Sequence, residues 1–453
     1  MSPHFQEPAP MTSPASASES APHSDARNLP RTAVIVGGNR IPFGKAGGKY
    51  ASASNQDMLT AAIDGLVARF GLAGRSVGAV AAGAVLKHSR DFSLTRESVL
   101  GSALSPSTPA YDLQLACGTG LEAAVQIAGK IALGQIDNGI AGGVDSASDA
   151  PIAVSEGLRK ALLKANHAKT TPAKLRALAS IRPVDLAPQS PRNTEPRTGL
   201  SMGEHQAITT KKWDISREAQ DELAAASHHN LAAAWDNGFF DDLVTPFLGL
   251  ARDQGLRPDT SVEKLAKLSP VFGKGEGATM TAGNSTPLSD GASVVFLAEQ
   301  EWAQANNYPA LAKVVDSEMA AVDYVSGDEG LLMAPAYAVP RMLARQGLTL
   351  ADFDYYEIHE AFAGTVLSTL AAWESEDFAR DRLGLDAPVG SIDRSKLNVN
   401  GSSLAVGHPF AATGGRIVAS LAKQLHAAGP GTRGLISVCA AGGQGVVAIL
   451  EAV

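Results

Sequence analysis

Two distant stretches of this chain repeat one local pattern, and that repeat restricts the fold more than any other feature. In the first, a short apolar run ends at Cys117-Gly118-Thr119-Gly120, a helical stretch of small residues covers Leu121–Leu133, and Ile136–Val144 reads as a strand ending in Gly142-Gly143. In the second, Gly407-His408-Pro409 precedes a glycine-rich turn, a helix over Arg416–Ala427, and a strand Gly434–Val438 that ends in Cys439-Ala440-Ala441-Gly442-Gly443. Strands alternating with helices predict α/β layers. Two such units predict two like halves packed together, each offering a helix N-terminus to one shared site.

Other segments fit the same class. Thr32–Val36 and Val77–Val85 read as buried strands, and apolar residues recur at helical spacing from Asp57 to Phe70. Gly37-Gly38 follows the first strand, but no G-x-G-x-x-G is present and Pro42 breaks the helix start that a dinucleotide site needs. Ser216–Ala234 predicts a helix capped by Ser216, with Glu218 and Gln220 in its first turn. Phe353–Ile358 reads as a strand and Ala361–Trp373 as a helix. The 453 residues suffice for two or three domains at about 150 residues each. We expect a disordered tail over residues 1–30, a first domain over 31–149 and 278–301, an inserted loop domain over 150–277, and a second domain over 302–453. Within the insertion, Arg159 to Arg182 carries seven Lys or Arg and no acid. That is either a solvated helix face or a basic surface for the phosphates of a cofactor, an anionic membrane or an acidic partner.

The net charge of -8 argues against nucleic acid as a general partner. No apolar run reaches the roughly 20 residues that span a bilayer. The first 30 residues, rich in Ser, Pro and Ala, lack both the apolar core of a signal peptide and the Arg-rich pattern of a transit peptide. A cytoplasmic location is the expectation. The only cysteines, Cys117 and Cys439, are too few for a disulfide framework and have no C-x-x-C spacing.

Cys117 stands at a glycine-flanked helix start, where the macrodipole favours the reactive thiolate. His408 lies between Gly407 and Pro409, a turn that aims a side chain, and an imidazole beside a thiol can take its proton. His359 and Glu360 follow a strand at another strand-to-helix junction. Cys439 precedes glycines whose amides can form an anion-binding nest. As zinc ligands these four would be unusual, since no pair has chelating spacing, and no metal is expected.

The chain resembles the thiolase family. The motifs that carry the likeness are Leu115-Ala-Cys117-Gly-Thr-Gly, His359-Glu-Ala-Phe-Ala363, Gly407-His-Pro-Phe-Ala-Ala-Thr-Gly414 and Cys439-Ala-Ala-Gly-Gly-Gln-Gly445. Arg40-Ile-Pro-Phe-Gly44, Arg257-Pro-Asp-Thr260 and Thr281–Gly291 support them, in family order, over nearly all of Arg31–Val453. The resemblance implies two similar α/β/α/β/α-layered domains with mixed five-stranded sheets plus an inserted loop domain. It implies acetyl-CoA C-acyltransferase activity on 3-oxoacyl-CoA, in either direction. Cys117 would carry the acyl group, His408 would activate it and help bind the thioester oxygen, Cys439 would be the acid/base for the acetyl-CoA enolate, and His359 would complete the catalytic set. Glu360, Ala441, Gly442 and Thr286 fall inside the matching motifs and would line substrate and oxyanion positions. CoA and acyl-CoA enter as substrates, with no permanently bound cofactor.

Two departures stand out. Many thiolases read Asn-Glu-Ala-Phe where this chain has His359-Glu-Ala-Phe, and many have glycine where it has Ala441. The histidine and the long basic segment are similar to the branch containing the β-subunit of the fatty-acid-oxidation trifunctional complex. That branch implies medium- or long-chain substrates, a homodimer or dimer of dimers, and a hydratase/dehydrogenase α-subunit as partner. Three readings compete: an acetoacetyl-CoA-specific acetyltransferase, a decarboxylating ketoacyl synthase, against which Cys439 speaks, and a non-catalytic acyl-CoA-binding or assembly subunit.

Overall fold

In the computed structural model, residues 30–273, 275 and 277–453 are described, so the tail expected over residues 1–30 lies outside them but for Pro30. The chain enters through strand β1 (Ala33–Arg40), helix α1 (Asn55–Phe70), β2 (Val80–Ala82), β3 (Ala110–Asp112), α2 (Thr119–Ala132) and β4 (Asn138–Ser146). It then leaves the sheet for an excursion containing α3 (Glu156–His167), α4 (Thr171–Leu178), α5 (Met202–Lys212) and α6 (Arg217–Asp236). It returns as β5 (Ser289–Glu299), which pairs antiparallel with β4 along its whole length, Ser146 opposite Asp290 and Asn138 opposite Ala298. The second half runs β6 (Ala312–Ala321), α7 (Ala334–Gln346), β7 (Tyr355–Ile358), α8 (Ala363–Glu374), α9 (Ala412–Ala428), β8 (Arg433–Ala440) and β9 (Gln444–Ala452).

Among the described residues these strands belong to one ten-stranded mixed sheet, in the order β7-β8-β9-β6-β1-β5-β4-β2-β3, with Gly44–Lys45 pairing onto β5 beside that path. The halves meet edge to edge where β1 pairs with β6, Val34 opposite Lys313 and Ile35 opposite Ala312. Each half has the same order of parts. β1, α1, β2, α2, β4 and β5 of the first correspond to β6, α7, β7, α9, β8 and β9 of the second. The counterpart of β3 is a single parallel bridge between Leu397 and Tyr356, so the fifth strand of the second half is reduced to one residue pair.

Strand alternation sorts side chains into layers. In β1, Val34 and Val36 face α1 while Ile35 faces the molecular centre. In β8, Leu435 joins the outer core of α7 and α8, and Ile436 and Val438 join the central core. The central layer holds α2 and α9 against each other. They meet at glycines: a Cβ on Gly414 would overlap the Leu121 backbone, and one on Gly120 would overlap Ala411 and Gly415. Only hydrogen fits at such a crossing, and it brings the two helix starts, and so Cys117 and His408, side by side.

Differences from the expected elements have local causes. The strand expected over Val77–Val85 pairs only as Val80–Ala82, because the Leu113 amide bonds the Ala82 carbonyl and the Val85 amide turns to the Asp145 carboxylate. The basic stretch forms α3 and α4, capped by Ser155 and Thr170. Ser216 caps α6 as expected, its hydroxyl accepting from the Ala219 amide. Arg40, from the first supporting motif, forms a buried bidentate pair with Asp253, which also accepts from the Phe43 amide and the Trp235 indole. Full satisfaction of that carboxylate is what makes the buried pair tolerable, and it pins the excursion to β1.

Candidate active site

The nucleophile segment is a tight turn. The Gly118 amide donates to the Leu115 carbonyl at 2.8 Å, and Thr119 Oγ1 accepts from the Leu115 amide at 2.9 Å and donates to the Ala116 carbonyl at 2.7 Å. Ala116 is held at φ 44, a left-handed conformation that costs an alanine about 1–2 kcal/mol. This strained turn presents Cys117 just ahead of α2; the residue as a whole is partly exposed, while the packing around its thiol desolvates the sulfur.

His408 comes from the opposite half, 291 residues away, and its Nε2 lies 3.0 Å from Cys117 Sγ. Its backbone amide donates to Ser289 Oγ at 3.2 Å, and its Nδ1 meets Thr413 Oγ1 at 2.6 Å. With Nδ1–H given to Thr413, Nε2 carries the lone pair that faces the thiol. The turn that carries it is tied to the first half by Asp145, which accepts from the amides of Ala411, Val85 and Leu86. Burial pushes the Asp145 carboxyl up to about 6, against the pull of those amides.

His359 stands at the end of β7, its amide bonded to the Ser437 carbonyl. Its ring centroid is 4.2 Å from that of His408. Nδ1 meets Ser403 Oγ at 2.9 Å, Arg416 donates to Ser402 and Ser403, and Nε2 has no partner among the described residues although the residue is 1% exposed. Donor atoms of Cys117, His359 and His408 all lie within 4.8 Å of one another. Cys439 is the penultimate residue of β8, opposite Gly445, and is covered by Met280, Leu331, Leu332, Ala361 and Phe362. A cleft of about 850 Å³, lined by residues including Leu200, Ser201, Ala278 and Thr279, shares Ala207 and Phe272 with this apolar cluster.

The remaining expected residues divide. The backbone of Ala441, with that of Cys117 itself, stabilises negative charge at the Cys117 sulfur, beside which an oxyanion on a sulfur-bound carbonyl carbon would form. The Gly442 amide is occupied: it donates to Glu195 at 2.8 Å, whose other oxygen accepts from the Tyr324 hydroxyl. Glu360 is saturated by Ser227, Asn398 and the Leu404 amide, so it holds the loop before His408 instead of contacting substrate. Thr286 donates its hydroxyl to the Ser403 carbonyl. Sequence reasoning missed Asp145, Glu195, Ser403, Thr413 and Arg416. Thr413 lies inside the quoted histidine motif without a role assigned to it there, and Asp145 had a local signal as an acid directly after a glycine-bearing strand.

Burial sets the charge state. It pushes the Cys117 thiol up to about 12, with the Ala441 and Cys117 amides pulling back and Asp145 adding to the rise. Burial pulls His408 down to about 3, aided by Arg416, and lowers His359 well below the usual histidine range with help from His408 and Arg416. The Cys439 thiol is raised by burial and then by Cys117. A raised thiol and a lowered imidazole keep the pair neutral at neutral pH. The thiolate absorbance of wild type minus Cys117→Ala is therefore expected near zero at neutral pH, growing only on the alkaline side. A full thiolate signal at neutral pH that disappears on acidification would mean a preformed ion pair and contradict this reading.

Two family profiles match the chain: thiolase N-terminal domain over residues 33–301 and thiolase C-terminal domain over residues 308–452. A 3-ketoacyl-CoA thiolase of Yersinia pestis is 38% identical over 424 residues, covering 92% of this chain and 96% of the relative. The crystal structure of a Bacillus anthracis acetyl-CoA acetyltransferase superposes with a TM-score of 0.77 at 28% identity, covering 94% of this chain and 100% of the neighbour. A human mitochondrial 3-ketoacyl-CoA thiolase in complex with CoA gives 0.76 at 29% identity, covering 93% and 98%.

Proposed function

The chain belongs to the thiolase family of acyltransferases, and from that premise we propose that it cleaves 3-oxoacyl-CoA with free CoA, or runs the reverse condensation, through an acyl group on Cys117. The observation that carries this reading is the 3.0 Å contact between Cys117 Sγ and His408 Nε2, made by residues from two halves of the fold. His408 takes the thiol proton as sulfur adds to the 3-oxo carbon. The C2–C3 bond then breaks, and its electron pair becomes the enolate of acetyl-CoA. Cys439 gives its proton to C2, releasing acetyl-CoA. The proton held by His408 restores the Cys439 thiol; a CoA thiol then gives its proton to His408 and attacks the thioester on Cys117, and that proton returns to the Cys117 sulfur as the shortened acyl group leaves on CoA. Two easier steps replace one hard one and predict ping-pong kinetics. The amides of Cys117 and Ala441 receive the oxyanion at sulfur, and His359 stands beside His408 for the enolate oxygen.

CoA and acyl-CoA are substrates in this scheme. The preferred chain is medium or long, a reading supported by the likeness to 3-ketoacyl-CoA thiolases and by an 850 Å³ cleft beside the apolar cover of Cys439. Burying each methylene contributes about 0.8 kcal/mol. Profiling from C4 to C16 is therefore expected to give a kcat/KM at least about tenfold higher for some substrate of C8 or longer than for acetoacetyl-CoA. The reverse ranking would favour the acetoacetyl-CoA-specific reading, which the likeness to an acetyl-CoA acetyltransferase supports. We place the protein in the cytoplasm as a homodimer or dimer of dimers, with a hydratase/dehydrogenase α-subunit as a candidate partner. No helix among the described residues is long and apolar enough to cross a membrane.

A further inference from the structure

We propose that Cys117, His359 and His408 together form a binding site for a soft divalent cation, zinc above all, and that its occupancy reversibly shuts off the nucleophile. The inference rests on the reading of Cys117 as that nucleophile and adds a regulator of the same site. Sequence spacing argued against zinc because no two of these residues form a short chelating pair. The fold supplies the proximity that spacing did not: the donor atoms lie within 4.8 Å of one another. In a tetrahedral zinc site with Zn–S near 2.3 Å and Zn–N near 2.0–2.1 Å, ligand atoms stand about 3.3–3.6 Å apart. The 3.0 Å between Sγ and His408 Nε2 must open by about half an ångström, and the widest of the three separations, within 4.8 Å, must close by up to about 1.5 Å.

Two further observations point to a ligand. Each imidazole has its Nδ1 held by a hydroxyl, Thr413 for His408 and Ser403 for His359. That is the outer contact that orients a metal-bound histidine through its other nitrogen. Between turnovers, with no enolate oxygen to meet, His359 Nε2 is buried with no hydrogen-bond partner among the described residues, which costs free energy unless something binds it. The donor set of one thiolate and two neutral imidazoles suits zinc, and three protein ligands leave a fourth position open. An asparagine at position 359 would leave only two ligands, so the histidine departure is what makes the site. Zinc takes the sulfur lone pair and the His408 Nε2 lone pair at once, which blocks both the attack and the proton transfer. Binding displaces one proton, from the Cys117 thiol.

The test titrates the intact protein with Zn²⁺ against a chromophoric chelator, and with Co²⁺ as the spectroscopic probe. We expect one tight zinc per chain, with affinity rising about tenfold per pH unit through neutrality because one proton leaves. Co²⁺ should show a thiolate-to-metal charge-transfer band. Cys117→Ala should lose the band and at least about 100-fold in zinc affinity, and His359→Asn at least about tenfold. Exchange of the exposed His167 for Ala should change neither. In unmodified protein, zinc should protect Cys117 from alkylation and a chelator should restore it, a readout that needs no variant to fold. Zinc affinity unchanged in folded Cys117→Ala or His359→Asn, or no protection of Cys117, overturns the site. A protein that holds zinc as described yet cleaves no 3-oxoacyl-CoA sinks the catalytic reading and leaves the metal site standing. An active thiolase indifferent to zinc does the reverse.

Discussion

Cys117→Ala is expected to lower thiolytic release of acetyl-CoA by at least about 10³-fold. The variant keeps the fold, because only one sulfur atom is removed and the turn is held by backbone bonds and Thr119. Substrate recognition also survives. What disappears is the atom that accepts the acyl group, and neither His408 nor the amides of residues 117 and 441 can replace a covalent carrier. A residual rate owed to orientation and oxyanion binding alone sets the floor. In the wild type without free CoA, intact-mass measurement should find an acyl adduct on Cys117. Turnover within tenfold of wild type in the variant, or an adduct elsewhere, would sink the covalent route.

Cys439→Ala is expected to split the reaction. Carbon–carbon cleavage should fall by roughly 10²–10⁴-fold, the usual share of a general acid. Exchange of an acetyl group between acetyl-CoA and labelled CoA should stay within about tenfold, since that half uses Cys117 and His408 alone. The physical reason is where Cys439 sits. It ends a strand under an apolar cover, and burial raises its thiol, so at neutral pH it holds a proton to give. Removing it leaves an enolate with no acid beside C2 and leaves the acyl carrier untouched. Equal losses in both assays would assign Cys439 a structural part instead.

Much of the fold was legible because its signals are local. Helical spacing and caps announced α1 and α6, and the twin turn–helix–strand units announced two like halves. Glycines at 120 and 414 were visible as letters, but their purpose was not: each makes room for the partner helix, a contact across the repeat. The expected strand at Val77–Val85 was too long because apolarity does not say where a ladder ends. Among site residues, Glu360 and Gly442 stand within the expected motifs, yet the partners that occupy them come from elsewhere: Ser227, Asn398 and Leu404 for one, Glu195 for the other. Asp145, Ser403 and Thr413 act through hydrogen bonds to distant or turn-separated atoms, which no periodicity encodes.

The linear chain by itself determined the chemistry on offer: two thiols, two imidazoles at strand or turn ends, and glycines beside each. These depend on side-chain identity and on neighbours within a few positions. The tertiary structure alone decided that sulfur 117 meets imidazole 408, that burial keeps both neutral, and that a second imidazole is left with a free nitrogen beside them. Distance and solvent exclusion arise from the packing of α2 against α9 in the central core, and such packing is a property of the whole chain that no single segment contains.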